Sequence, residues 1–436
     1  MDKSPSAETT GAPAPQVPRT FFQYLRSFGP GIVIAMTWMG AGDVVESAVA
    51  GGNYGYALMW VLALALVVRF LFVSLIAKYQ LCNQRGEGVL DGLGRLHPWY
   101  PPFLALMGVV IGHIQGAYLI VGIGEISVNV TGIGHVWLWG LFWNLVTLAI
   151  VFRPVYGRLE LLFKVLLGLL SVSFLGAALW VGPSPSKILQ GVFAFDLPEQ
   201  VGPFGSLLVA IGLIGTIGGS LANLVYPYFL EQKGWIGPAF RRVQFYDLLL
   251  GIVVLIVLDL AIWTLGAEVL HPRGLTIAEM EDLPRLLSTI LGEGGRLLFY
   301  LGLFAVLYTG LVGQALGFGA LCSHGYQRWR AGPEVQLQAY QAHPSYRWVV
   351  VWCLISPVVW TAPGMPGFVV MTVFAATALV VLIPLLVGGL WWITAKAEYI
   401  GAEYKNRLWE NVLMGVLFAL GLWGAYGSVK SIAESF

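Results

Sequence analysis

The sequence has little charge. Asp, Glu, Lys and Arg make up 11 % of its 436 residues, less than half of the roughly 25 % usual in a soluble protein. Set beside 57 % hydrophobic residues, that shortage excludes a water-soluble globular fold. Neither sign is in excess: 24 Lys and Arg against 23 Asp and Glu leave a net charge of +1, so there is no basic surplus to hold nucleic acid. Cysteine is nearly absent. Cys82, Cys322 and Cys353 form no CxxC pair, which excludes a disulfide framework and a zinc centre. No nucleophile elbow, Walker loop, HExxH or paired Cys/His set occurs, so an enzyme has no anchor here and no cofactor is called for. Residues 1–20 are rich in Pro, Ala, Thr and Ser without an apolar core, and read as a disordered tail, not as a cleavable signal.

What is present is apolar length. Stretches of about 20 apolar residues, enough to cross the hydrocarbon core, fall near 30–49, 54–78, 102–128, 135–153, 159–181, 203–230, 244–266, 295–322, 347–362, 367–392 and 409–429. The 55 glycines and 17 tryptophans suit such an all-α polytopic bundle, Gly for close helix packing and Trp for the interfaces. With the N-terminus inside, eighteen Lys and Arg flank the cytoplasmic ends and five the outer ends, leaving Arg69 within the second span. That bias predicts a cytoplasmic N-terminus, an outer C-terminus and an odd number of spans, about eleven.

Two spans carry signs of a break. The first has Gly29-Pro30-Gly31 at its start and Gly40-Ala41-Gly42 near its centre; the sixth has Gly212, Gly215, Gly218 and Gly219, then Pro227. Broken helices in corresponding positions of two halves point to a transport site at the membrane midplane. Their separation suggests a five-plus-five inverted repeat, about 30–181 and 203–392, with a further helix at 409–429, all in one transporter domain over 21–436. The break in the sixth span rests mainly on Pro227, because its glycines also suit plain close packing.

Polar groups at that depth indicate the cargo. Asp43 follows the first break and Glu46 lies three residues on, on one helical face. Each buried carboxylate costs about 2.5 to 3.5 kcal/mol even on a lenient insertion scale, so two of them call for a reason. Carboxylates with freed carbonyls suit Mg²⁺, Ca²⁺ or Mn²⁺; the alternative is that both acids pair with Arg69 or cap a half-helix. Asn223, beside Ala222 and one turn before Tyr226, is the polar candidate of the sixth span, or interhelical glue. His113, Gln115, Glu125, Asp247, Asp259 and Gln314 are candidate path or packing residues.

The segment Ala50-Gly51-Gly52-Asn53-Tyr54-Gly55-Tyr56, followed by Leu58-Met59-Trp60, together with Gly29-Pro30-Gly31, resembles the opening of the Nramp divalent-metal transporters. Glu281-Asp282-Leu283, Leu286-Leu287, Leu303-Phe304-Ala305 and Ile383-Pro384-Leu385 extend the resemblance along most of the chain. It implies a LeuT-like fold and alternating access, with metal held between the unwound centres of helices one and six. The departures are specific. Where the family has Asp-Pro-Gly-Asn this chain has Gly40-Ala41-Gly42-Asp43, and Met-Pro-His falls on Ala222-Asn223-Leu224, removing the soft thioether and a histidine tied to proton movement. Gly116 and Leu119 stand where proton-linked acids would lie. The pattern is similar to the Nramp-related magnesium transporters.

The resemblance thus implies an importer of Mg²⁺, and also Mn²⁺, as a partly hydrated ion, without proton coupling, in a bacterial inner membrane. Its ligands are expected from Asp43, Glu46 and Asn223 with Gly40, Ala41 and Ala222, and its pathway from Tyr226, His113 and Gln314. Its partners are the divalent cation and the lipid bilayer; a monomer is one option for its oligomeric state. The other readings are a proton-coupled Mn²⁺/Fe²⁺ carrier, a carrier of a small organic or anionic solute, and a non-transporting membrane sensor.

Overall fold

The computed structural model describes residues 17, 18, 20, 22–24, 40–152, 156–218, 220–332, 335 and 337–434. Among these the chain is helical with no β-strand, as hydrocarbon demands of a backbone whose polar groups must pair internally. Helix α1 spans Ala41–Tyr54 and is entered through Gly40 in an extended conformation, φ −75° and ψ 171°. The expected Gly29-Pro30-Gly31 start, and all of the tail but residues 17, 18 and 20, lie outside the described residues. Next come α2 (Met59–Cys82), α3 (Val89–Leu96), α4 (Tyr100–Thr131), α5 (Val136–Ile150) and α6 (Tyr156–Val181), which bends by 105° into α7 (Pro185–Ala194).

The second half repeats the pattern. Helices α8 (Ser206–Leu213) and α9 (Tyr226–Gln232) form the sixth span, with α10 (Arg241–Leu265), α11 (Arg285–Ala331) and α12 (Pro344–Ile355) after it. Helices α13 (Phe368–Leu379) and α14 (Ile383–Ala395) make the tenth span, and α15 (Leu408–Glu434) the eleventh. Each expected apolar stretch therefore holds a helix or a broken pair. Seven helical segments among the described residues are long and apolar enough to cross a membrane by themselves. α11 is longer than its stretch because it runs on from a leading segment through a kink at Gly292, whose φ of 61° suits a residue without Cβ.

Small residues let these helices close on one another. Gly108, Gly112 and Gly116 form a stripe on α4, and a Cβ at each would lie 2.6, 2.5 and 2.5 Å from Cys322 Sγ, Cys353 Sγ and Pro357 Cγ respectively. A Cβ on Gly51 of α1 would lie 2.6 Å from the Trp263 carbonyl oxygen of α10. Such contacts are how membrane helices gain dispersion energy where lipid offers no hydrophobic drive. The eleventh span is tied in by polar contacts: Lys78 Nζ of α2 donates to Glu410 Oε1 and Asn406 Oδ1, each at 2.8 Å, and Ser428 Oγ donates to the Thr377 carbonyl at 2.7 Å.

The sixth span breaks earlier than its proline suggests. A wide π turn covers Ile214–Gly218, Ser220 is extended, and Leu221–Val225 forms a tight 3₁₀ turn before α9. Pro227 sits in the first turn of α9. It opens the half-helix and does not break one, since a first-turn residue has no intrahelical N–H bond to lose. The break itself follows the glycines.

Candidate functional site

A cavity of about 120 Å³ lies between the entry to α1 and the interrupted sixth span. Gly40, Ala41 and Asp43 line it from α1, and Ser220, Ala222 and Asn223 from the broken segment. Gln314 of α11 lines it too, so seven residues meet here that lie far apart in the sequence. Of the residues singled out from sequence, Gly40, Ala41, Asp43, Ala222, Asn223 and Gln314 are brought together in this wall. Gln115 and Tyr118 of α4, Thr216 and Arg69 complete much of the polar wall. A water needs about 10–15 Å³ of such space, so the cavity has room for a cation with several waters.

Asp43 is the acidic residue of this wall, and it is not alone. Arg69 Nη1 of α2 donates to Asp43 Oδ2 at 2.9 Å, while Arg69 Nη2 donates to the Thr216 carbonyl at 2.6 Å. Asp43 is 2 % exposed and Arg69 4 %. One guanidinium from α2 thus bridges α1 and the π turn of the interrupted sixth span. The glycine at position 42 permits the approach, since a Cβ there would lie 2.6 Å from Thr216 Cγ2. A cation and this guanidinium compete for one carboxylate: unit charges 4 Å apart interact by about 4 kcal/mol at an effective dielectric of 20, and a dication doubles that repulsion.

Glu46 is a correction to the expected ligand set. It is fully buried but absent from the cavity wall, and its carboxyl packs on Gly212 of α8, where a Cβ would lie 2.5 Å from Oε1. Three residues along a helix mean about 4.5 Å of rise, enough to carry Glu46 past the cavity and behind α8. Neither of its oxygens has a hydrogen-bond partner, nor have those of Asp259 on α10, also fully buried. Asp259 is an electrostatic neighbour of Asp43 and Arg69. Among the described residues no three His, Cys, Asp or Glu side chains converge as a metal-ligand set. A cation in the cavity would therefore depend on Asp43, on Asn223 and Gln314 amides, on backbone carbonyls and on water.

Two expected pathway residues belong to packing. His113 engages Ser356 Oγ through Nδ1 at 2.9 Å and accepts from Trp360 Nε1 at Nε2, also 2.9 Å, so both ring nitrogens face the ninth span. Tyr226 accepts from Gln244 Nε2 of α10 at 3.1 Å and does not line the cavity. Each turns toward a neighbouring helix and not toward the cavity, a direction that depth in the membrane alone does not reveal.

A separate, smaller cavity of about 10 Å³ lies between Leu224, Tyr228, Leu321 and Val89 and Leu90 of α3, room for no more than one water. Tyr228 bonds His324 Nδ1, and His324 Nε2 meets Asp91 Oδ1, each at 3.0 Å. Arg328 Nε donates to the same oxygen at 2.6 Å. Burial pushes the Asp91 carboxyl up, but the His324 contact and the Arg328 charge outweigh it and hold it below the usual range. Helix α3 is thereby fastened to α9 and α11.

Gly116, aligned above with a proton-linked acid, has no room for one: a Cβ there meets Pro357 Cγ at 2.5 Å and the Cys353 carbonyl at 3.0 Å. Gly116→Glu is expected to yield little monodisperse protein on size-exclusion chromatography, because overpacking costs about 1–3 kcal/mol before any buried charge is counted. Wild-type yield and elution would show that α4 and α12 can separate there.

The family model described as natural resistance-associated macrophage protein-like, Nramp, matches residues 31–428. The divalent metal cation transporter MntH of Verminephrobacter eiseniae is 25 % identical over 416 residues, covering 88 % of this chain and 84 % of that protein. Natural resistance-associated macrophage protein 2 of Mus musculus is 30 % identical over 207 residues, 45 % of this chain and 35 % of the relative. The crystal structure of a manganese transporter from Eremococcus coleocola, in complex with an aromatic bis-isothiourea compound, superposes with a TM-score of 0.72 at 18 % identity. It covers 96 % of this chain and 89 % of the other. MhsT in complex with L-phenylalanine gives 0.54 at 14 % identity over 94 % and 99 %. These matches give the chain the LeuT-like architecture of two five-helix repeats with the first and sixth helices broken.

Proposed function

Because the chain belongs to the Nramp family, we propose that it is a secondary transporter importing divalent metal cations by alternating access, with Mg²⁺ the main cargo and Mn²⁺ admitted. The observation that carries this reading is the cavity between the entry to α1 and the interrupted sixth span. Its ligand atoms are oxygens and amides from Asp43, Asn223, Gln314 and the backbone, and no Cys or Met is among the described residues of its wall. Mg²⁺ gives up its waters reluctantly and takes hard oxygen donors, which fits a wall with one carboxylate and space for water. The basic flanks support an orientation with the N-terminus inside.

Ion competition tests the cargo. In proteoliposomes holding the purified chain, Mn²⁺ is expected to compete with Mg²⁺ uptake, and Cd²⁺ to compete no better than Mn²⁺, because the wall offers no soft donor. Nanomolar Cd²⁺ binding would overturn this.

Arg69 favours a second reading. A guanidinium in the wall could take the carboxylate of a small organic solute in exchange for that of Asp43. Uptake of a labelled solute of that kind, with no divalent-cation flux, would replace the first reading with this one.

A further inference from the structure

We propose that Arg69 is a tethered substitute for the cargo: a positioning residue whose guanidinium fills the cation's place at Asp43 in the empty carrier and is displaced when the cation binds. The inference deepens the metal-carrier reading above and rests on it. Its basis is the fork of Arg69. One arm neutralises Asp43 at 2.9 Å; the other holds the Thr216 carbonyl at 2.6 Å, in the wide π turn of the sixth span. A structural ion pair needs only the first contact. The second places positive charge on a carbonyl of the broken helix, and so joins the two half-helices that a bound cation would join.

The need for such a device follows from burial. An empty carrier must reorient with its site closed to both sides. A lone buried carboxylate would then be desolvated without compensation, which is costly. Proton-coupled carriers meet the problem with a titrating group. Here the pair of Asp43 and Arg69 is neutral by itself, so Asp43 needs neither a proton nor a second ion during the return. Arriving cargo finds Asp43 occupied and must displace one arm of the guanidinium, while the arm on Thr216 keeps Arg69 beside the site. Arg69 therefore lowers affinity for the cargo and speeds the return of the empty carrier.

The effects separate binding from turnover. Full-length wild type, Arg69→Gln and Arg69→Lys are compared, with Mn²⁺ as the probe. Calorimetry reads binding to solubilised protein, and proteoliposomes read net uptake into empty vesicles and exchange with Mn²⁺-loaded vesicles. Exchange does not need the empty carrier to return. For Arg69→Gln we expect at least tenfold tighter binding and at least a tenfold rise in the ratio of exchange to net uptake. Arg69→Lys keeps the charge, and so guards against a folding failure, but has no planar fork to span both acceptors. It is expected to raise the same ratio three- to tenfold. The proposal is overturned if wild type carries Mn²⁺ while the variants bind it more weakly, or while exchange and net uptake fall together. If wild type neither binds nor exchanges Mn²⁺ or Mg²⁺, the carrier reading itself falls and takes this inference with it.

Discussion

Asp43→Ala is expected to abolish Mg²⁺ uptake in proteoliposomes, and Asp43→Asn to retain at most a small fraction of it. Asp43 is the acidic residue among those described in the cavity wall, so its loss removes the main attraction for a dication. The alanine variant also leaves Arg69 buried without its carboxylate, and breaking a buried pair from one side costs about 3–5 kcal/mol. The asparagine variant keeps shape and a hydrogen-bond acceptor, and separates lost transport from lost fold. A monodisperse Asp43→Asn protein without uptake assigns the carboxylate to the cargo. Wild-type transport by both variants would return Asp43 to a structural role. Glu46→Gln should cost less, because its carboxyl packs on α8 outside the cavity.

Imposing an inside-negative potential is expected to accelerate Mg²⁺ entry while lumenal pH stays constant. The potential is worth about 2.3 kcal/mol per charge per 100 mV, so a dication gains about 4.6 kcal/mol and can accumulate on the order of a thousandfold. No co-transported proton is needed for such a gradient. The groups that would carry one are engaged elsewhere: His113 between Ser356 and Trp360, and Glu125 accepting the Phe368 N–H at 3.0 Å. Gly116 has no space for an acid. Among the described residues, Glu46 and Asp259, both buried and without hydrogen-bond partners, are candidates for a relocated relay. A pH-sensitive dye inside the vesicles decides the matter. Metal-dependent acidification that disappears in Glu46→Gln would favour the proton-coupled alternative.

The spans were legible because apolar length is a local signal, read residue by residue against the thickness of hydrocarbon. The short helices α3 and α7 were missed for the same reason: neither crosses anything. Only contacts with distant segments, such as Asp91 with His324 and Arg328, give α3 its place. At the site, the glycine-marked break and Asp43 could be read from sequence, and the pairing of Asp43 with Arg69 stood there as the alternative. What could not be read was direction. Tyr226, His113 and Glu46 lie at suitable depths, yet which face of a helix meets the cavity depends on rotation, and rotation is set by neighbours hundreds of residues away. The sequence placed too much weight on Pro227, since proline marks a helix start as readily as a stop.

The final helix has a mechanical consequence. Although α15 lies beyond both repeats, Lys78 holds its first turn to α2 and Ser428 holds its far end to α13. It works as a strut with one foot on each half of the molecule. If the halves rock, the strut must tilt or release a foot, and fluorophore pairs joining each of its ends in turn to α5 would report that tilt as a change in distance. The last helix is thus where the stroke of the machine can be watched without touching its working centre.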